Sequence, residues 1–366
     1  MIISRTPYRV SFFGGGTDYP AWYRHHGGAV LSATIDKYCW LTCRYLPPFF
    51  EHKYRVVWSV IENRRTVEEI DHPVVRKILP HLGMKRGVEI HHDGDLPARS
   101  GMGSSSAFTV GLLNALQALM GRMPTRRDLA MESIRVEQEL LHETVGSQDQ
   151  VSAAYGGLNH ILFMPNGEIV VRPVTILPER IRELNEHLML FYSGIKRTAS
   201  NIAESFVENI EAKRRPLRIM KDLVDEGLAI LSRGRDLRAF GELLHEAWQA
   251  KRGLSGRISN PRLDEMYDAA RRAGAIGGKI TGAGGGGFVL LFVEPHLRDD
   301  VREALNHLIH VPFDFEFSGS QIVFCDHETD YAAQEARRVR QKVSAFEELS
   351  ELSERSDHER EAAAIG

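Results

Sequence analysis

The chain of 366 residues carries a formal net charge of −3 and is 43% hydrophobic and 26% charged. That balance reads as soluble and globular with room for two domains, and it offers no basic excess for nucleic acid or an anionic membrane. Three cysteines are too few for a disulfide framework, no apolar run approaches a membrane span and no signal-peptide pattern opens the chain, so a reducing cytoplasm is the expected compartment.

From Arg5 to Phe13 the residues alternate like a strand, then break on Gly14-Gly15-Gly16 and end in Thr17-Asp18. Three glycines open backbone conformations closed to other residues and leave space beside them. A carboxylate at the rim of that gap can accept hydrogen bonds from sugar hydroxyls; the plain alternative is a glycine-rich turn in which Asp18 satisfies local amides. Arg9 sits at an apolar-flanked strand position, and a buried guanidinium needs an anionic partner. Strands are expected from Ala29 to Ile35, Tyr38 to Tyr45 and Tyr54 to Ile61, which suits a mostly antiparallel sheet. Cys39 and Cys43 read as core residues. His91-His92-Asp93-Gly94-Asp95 looks like a metal cluster on paper, but neighbours on a strand point to opposite faces, and a surface turn fits better.

The run Pro97-Ala98-Arg99-Ser100-Gly101-Met102-Gly103-Ser104-Ser105-Ser106-Ala107 joins an extended segment, Gly87 to His92, to an apolar stretch from Phe108 to Met120. Gly101 and Gly103 allow close approach of the backbone to an anion. The three serines stand at a helix N-terminus, where unpaired amides and the helix dipole favour negative charge. A helix apolar on nearly every face is buried, which holds its dipole in a low dielectric. The bland reading is an ordinary N-capped core helix.

Thr125-Arg126-Arg127-Asp128 predicts a capping box opening a second helix to about His142, with Glu137 near its end. Gly146-Ser147-Gln148-Asp149-Gln150 follows, and a strand resumes from Leu158 to Phe163. Two acids framing a glycine-containing turn are suggestive, but solvated carboxylates would look the same. Composition changes near Pro165 to Pro178. We therefore expect an N-terminal domain over 1–175, a C-terminal domain over 176–329 and a charged helix and tail over 330–366. The second domain reads as a strand from His187 to Tyr192 and helices near Ala199–Lys213, Leu217–Ser232, Leu237–Lys251 and Arg262–Ala273. Lys279 to Phe288 then leads into an apolar strand. Within it, Gly282-Ala283-Gly284-Gly285-Gly286-Gly287 formally satisfies a dinucleotide fingerprint, but that motif needs a helix after it and here a strand follows. No Walker segment is present either, so the loop reads as backbone packed closely on a neighbour.

Three separated segments, Arg5 to Asp18, Pro97 to Ala107 and Lys279 to Phe288, together resemble the galactokinase, homoserine kinase, mevalonate kinase and phosphomevalonate kinase family, the GHMP kinases. The resemblance implies an α+β fold of two domains, ribosomal-S5-like then ferredoxin-like, with ATP and a small-molecule substrate in the cleft. Carried over by position, Gly101, Met102, Gly103, Ser104, Ser105 and Ser106 hold the triphosphate. Ser105 and Glu137 match the ligands of Mg²⁺, Asp149 the acid beside the acceptor hydroxyl, and Arg9 its partner cation. Gly16, Thr17 and Asp18 match the sugar end of the first motif, and Gly282 and Gly284 close against the phosphate loop beside substrate. The Gly-Gly-Gly-Thr-Asp ending and the Gly-Ser-Gln-Asp-Gln segment are most similar to bacterial kinases of D-glycero-D-manno-heptose 7-phosphate, acting at C1 for surface polysaccharide. Galactokinases carry Glu-His where this chain has Gly15-Gly16, and the wider gap suits a bulkier sugar. A sugar phosphate also needs a cationic receptor, for which Lys196 and Arg197 are the candidates, with Arg24, His25 and His26 behind them. A kinase of another sugar at C1, such as a fucose-type substrate, and a non-catalytic sugar-binding relative remain as alternatives. A homodimer is compatible with this reading; nucleic-acid and membrane partners are not expected.

Overall fold

The computed structural model describes residues 1–47, 49–195, 207–208, 210–253 and 258–326, with a few positions between 331 and 337. Its framework is two long antiparallel strands, β1 (Ile2–Phe13) and β2 (Gly28–Tyr45), linked by a glycine loop and the short helix α1 (Pro20–His26). The two strands expected between 29 and 45 are one continuous strand of 18 residues, because β1 pairs along almost all of it and absorbs the mismatch as a bulge at Pro7/Tyr8. Its far edge is shared. The second half of β2 pairs with β5 (Val88–Gly94), and its first half pairs with β6 (Leu158–Phe163), which is extended by β7 (Ile169–Pro173). The expected strand from 54 to 61 is the hairpin β3 (Tyr54–Val57) and β4 (Ile61–Arg64). After β4 comes helix α2 (Pro73–His81).

Helix α3 (Ser104–Leu119) packs on β1 and β2, and every residue from Ser106 to Leu116 is buried. Contact is close at Gly111, where an added Cβ would lie 2.8 Å from Thr6 Oγ1. The predicted capping box opens α4 (Arg126–Arg135), with Thr125 and Asp128 bonded reciprocally. From Val136 to Leu140 the helix widens into one π turn, and α5 (Gln148–Tyr155) follows.

A second, four-stranded sheet holds β8 (Leu188–Tyr192), β9 (Ala275–Ile280), β10 (Phe288–Val293) and β11 (Ile309–His310). Around it lie α6 (Pro178–His187), α7 (Arg214–Ser232), α8 (Arg238–Arg252), α9 (Pro261–Arg272) and α10 (Arg298–Ala304). Phe240 of α8 sets its ring edge-on to Phe12 and Phe13, with centroids 5.4 and 5.1 Å away, so one apolar core joins both sheets. The chain then returns: β12 (Phe315–Glu316) pairs with β2, and β13 (Gln321–Cys325) pairs with β1. We propose the domain boundary near residue 175, with these last two strands coming back to the first sheet. Most of the expected helix at 199–213 and the tail beyond 337 lie outside the described residues. Cys39 and Cys43 are buried core residues, and among the described residues no cysteine is in a disulfide.

Candidate active site

The loop between β5 and α3 alternates in hand. Arg99, Gly101 and Gly103 adopt φ of 59°, 80° and 75°. Such alternation turns successive backbone N–H groups toward one side, forming a nest for an anion. Gly103 is the N-cap of α3, and no side chain caps that end, although serines follow it. The ordinary capped helix therefore fails here: Ser104 instead accepts from the Arg99 amide at 3.3 Å. With the helix body buried, its first-turn amides and dipole are left for a ligand. Met102 contributes backbone alone, because its side chain is fully buried and its carbonyl accepts from the Arg9 N–H at 3.1 Å.

The serine that meets Glu137 is Ser106. Ser105, expected beside that carboxylate, is exposed, whereas Ser106 Oγ donates to Glu137 Oε2 at 2.9 Å. One step along a helix rotates a side chain by about 100°, which decides between them. Glu137 is presented by the π turn, a feature common at functional sites. It is 1% exposed, and Gln150 Nε2 also donates to Oε2. Its other oxygen, Oε1, is buried and has no partner among the described residues. Burial pushes this carboxyl up to about 7 against the pull of its hydrogen bonds. A buried carboxylate with the hydroxyls of Ser106 and Thr109 beside it is an all-oxygen donor set that suits a hard divalent cation such as Mg²⁺. Such an ion keeps water and phosphate oxygens as its remaining ligands, so one carboxylate suffices. Among the described residues no cluster of three metal-ligating side chains occurs, and His91 and His92 turn apart to Glu89 and Phe108.

Asp149 lies in the first turn of α5 and takes both oxygens to Arg9: Nε donates to Oδ1 and Nη2 to Oδ2, each at 2.8 Å. The third arm of the guanidinium donates to Gly101 O at 2.7 Å, tying the pair to the nest. Arg9 is sealed while the Asp149 side chain remains 26% exposed. A Cβ placed on Gly103 would lie 3.5 Å from Asp149 Cγ, so the mouth of α3 and the carboxylate lie side by side.

The first glycine loop departs from expectation. Thr17, expected to touch a sugar, is fully buried: its hydroxyl donates to Gly14 O and Ala29 O and accepts from Ala29 N–H. It shapes the loop. Asp18, 1% exposed, accepts from the amides of Gly16 and Gln148 at 2.9 and 3.4 Å, the local-amide arrangement. Burial, helped by the nearby charge of Asp149, holds its carboxyl above the usual range. A Cβ on Gly146 would sit 1.9 Å from Asp18 Oδ2, which explains that glycine.

The third glycine loop lies on the second. A Cβ on Gly282 would be 2.5 Å from Gly101 Cα, and one on Gly287 would be 2.0 Å from Ser100 O. Gly284 packs against Ile258, so it is a packing glycine. Lys251 Nζ donates to Gly282 O. Lys279, the first residue of the third motif, is buried and donates to Phe12 O at 2.9 Å. Burial and the charge of Arg9 pull its amine down to about 7, with Asp18 opposing. A lysine inside an otherwise apolar strand was the signal available. Lys196 and Arg197 lie outside the described residues. Of the weaker cations, Arg24 and His25 are exposed, while His26 packs its ring at a tilt on Trp22 and bonds Glu211 at the edge of a cavity of about 270 Å³ shared with Arg218 and Lys221.

Two family models match the chain: the GHMP kinases N terminal domain over residues 67–157 and the GHMP kinases C terminal region over 220–310. A D-glycero-alpha-D-manno-heptose 7-phosphate kinase of Campylobacter jejuni is 28% identical over 329 residues, covering 87% of this chain and 96% of the relative. A mevalonate kinase of Methanothermobacter thermautotrophicus is 32% identical over 249 residues, 63% of this chain and 74% of that one. Among solved structures, a D-glycero-D-manno-heptose 1-phosphate kinase from Bacteroides thetaiotaomicron superposes with a TM-score of 0.74 at 23% identity, over 89% of this chain and 100% of that one. That likeness establishes the fold.

Proposed function

The chain belongs to the GHMP kinase family, and we propose from its site that it phosphorylates the anomeric hydroxyl of a sugar at the expense of ATP. The substrate we assign is D-glycero-D-manno-heptose 7-phosphate and the product its 1,7-bisphosphate, destined for nucleotide-activated heptose in surface polysaccharide and made in the cytoplasm. The identity of the Campylobacter relative supports the sugar class. The observation that carries the reading is a juxtaposition: an uncapped, buried helix end and a carboxylate braced by Arg9, with Gly103 between them.

Phosphoryl transfer asks chiefly for positioning and for neutralising charge spread over the phosphoryl oxygens. The amides of Gly101 to Ser106 and the dipole of α3 supply that neutralisation at fixed positions. Glu137 and Ser106 would hold Mg²⁺, which when bound neutralises phosphate charge. Asp149 orients the acceptor hydroxyl and takes its proton as the new O–P bond forms and the bond to ADP breaks. A hemiacetal hydroxyl is more acidic than an ordinary alcohol, so Asp149 needs little basicity. Arg9 fixes both oxygens of that carboxylate and locks it to the loop through Gly101. Gly16 lines the sugar side, with Asp18 and Thr17 holding the loop from behind, and Lys196 and Arg197 receive the sugar's own phosphate. The test is ADP release across C6 and C7 sugars with and without a terminal phosphate, with the product's phosphate position read by NMR. Heptose 7-phosphate should be preferred and phosphorylated at C1. Transfer to a primary hydroxyl, or to an isoprenoid alcohol alone, would overturn the assignment.

A further inference from the structure

We propose that Ser11 and Gln148 are specificity-determining residues that read one ring hydroxyl of the sugar in the gap left by Gly15. The inference rests on the sugar-kinase reading above and concerns the same site. Gly15 differs from its neighbours. A Cβ on Gly14 would collide with Ala29 O at 1.9 Å, whereas one on Gly15 would meet nothing nearer than Gln148 Nε2 at 3.7 Å and Ser11 Oγ at 3.8 Å. Gly15 also has no positive φ, unlike Gly14 at 84° and Gly16 at 102°. Neither backbone conformation nor packing therefore demands glycine here. What its missing side chain leaves is space.

Two polar groups border that space with their capacity unspent. Ser11 Oγ and Gln148 Oε1 are both buried, and neither has a hydrogen-bond partner among the described residues. Buried polar atoms are nearly always paired, so the orphan Ser11 Oγ at the gap, beside an amide that turns its Nε2 to the same space and leaves its Oε1 unpaired, points to a partner that arrives with the substrate. Ser11 lies two residues beyond Arg9 on β1, so both side chains leave the same face of the strand. Gln148 immediately precedes Asp149 at the start of α5. The neighbouring charges are already engaged: Asp149 by Arg9, and Asp18 by two amides. The gap thus offers a donor and an acceptor without net charge. That chemistry recognises a neutral hydroxyl, which gives and takes one hydrogen bond, and not a phosphate or carboxylate.

The experiment crosses protein variants with deoxy sugars. The parent sugar is the one the wild type turns over in the screen above, and its 2-, 3- and 4-deoxy analogues are the probes. We expect Gln148→Leu and Ser11→Ala to lower kcat/KM for the parent by about five- to thirtyfold, mainly through KM for the sugar, with KM for ATP unchanged. On one deoxy analogue, already poor with wild type, the same variants should cost less than about twofold, because the group they read is gone. Gly15→Ser, which fills the gap, should weaken the parent sugar while leaving the melting temperature near wild type. Equal losses on the parent and on all three analogues would overturn the proposal, as would full activity of Gln148→Leu. If no sugar is turned over at all, the kinase assignment falls first and this one with it; a sugar turned over with no crossed effect sinks this one alone.

Discussion

Replacing Asp149 with Asn tests the centre of the mechanism. The change is nearly isosteric and keeps the side chain in the first turn of α5, but it removes the charge and turns one acceptor into an NH₂ group. That group would face a guanidinium N–H donor now 2.8 Å away. With the charge centres about 4 Å apart, a charge pair near a protein surface is worth about 4 kcal/mol before desolvation is subtracted. Because the Asp149 side chain is 26% exposed, the net stability loss should be smaller, about 1–3 kcal/mol, visible as a modest drop in urea midpoint. Activity should fall far more. Losing the group that orients the acceptor and takes its proton costs about 10²–10⁴-fold in kcat, or roughly 2.7–5.4 kcal/mol of barrier. KM for ATP should stay within about threefold, since the nest and the dipole of α3 are untouched. Arg9→Met should give a loss of the same order, and the double variant little more than either alone, because the two residues act as one unit. Steady-state ADP release with the sugar of the screen, paired with urea unfolding, separates the terms. Retention of more than about a tenth of wild-type kcat by Asp149→Asn would remove the carboxylate from the chemistry. Losses that multiply in the double variant would dissolve the pair.

Lys279→Met should flatten the dependence of stability on pH. The native amine is held near 7 while the unfolded one titrates near 10.5, so between those values the unfolded chain binds the extra proton and stability rises with pH, by up to about 1.4 kcal/mol per unit. Urea unfolding of both proteins from pH 7 to 9 reads the difference, and parallel curves would show that Lys279 is charged in the fold. Gly282→Ala should disturb the site through packing alone: at φ of 64° its Cβ would press on Gly101 backbone, so we expect a destabilisation of about 2 kcal/mol or more and a KM for ATP raised about tenfold. Gly83→Ala is the control, with a similar φ of 70° and nothing within 4 Å of the added atom; an equal effect on KM for ATP from both would refute the loop-on-loop argument.

Much of the site is legible in the sequence. Glycine and serine spacing at 101–106, the apolar run behind it and the capping box at Thr125 are local signals, written into neighbouring residues, and each produced the element it implied. The need of Arg9 for an anion followed from its apolar surroundings, and Asp149 supplies it across 140 positions of sequence. What the residues alone left undecided is facing and phase. Whether Ser105 or Ser106 meets Glu137 depends on the rotation of α3 against a π turn 31 residues away, and no local preference encodes that. Thr17 and Gly284 match substrate positions of the family motifs, yet neighbouring backbone seals both. Lys279 and the partnerless oxygen of Glu137 acquire their meaning from burial. Burial belongs to the packed whole: short-range sequence sets which conformations a segment prefers, while only the assembled layers determine which polar groups lose water and what they then face.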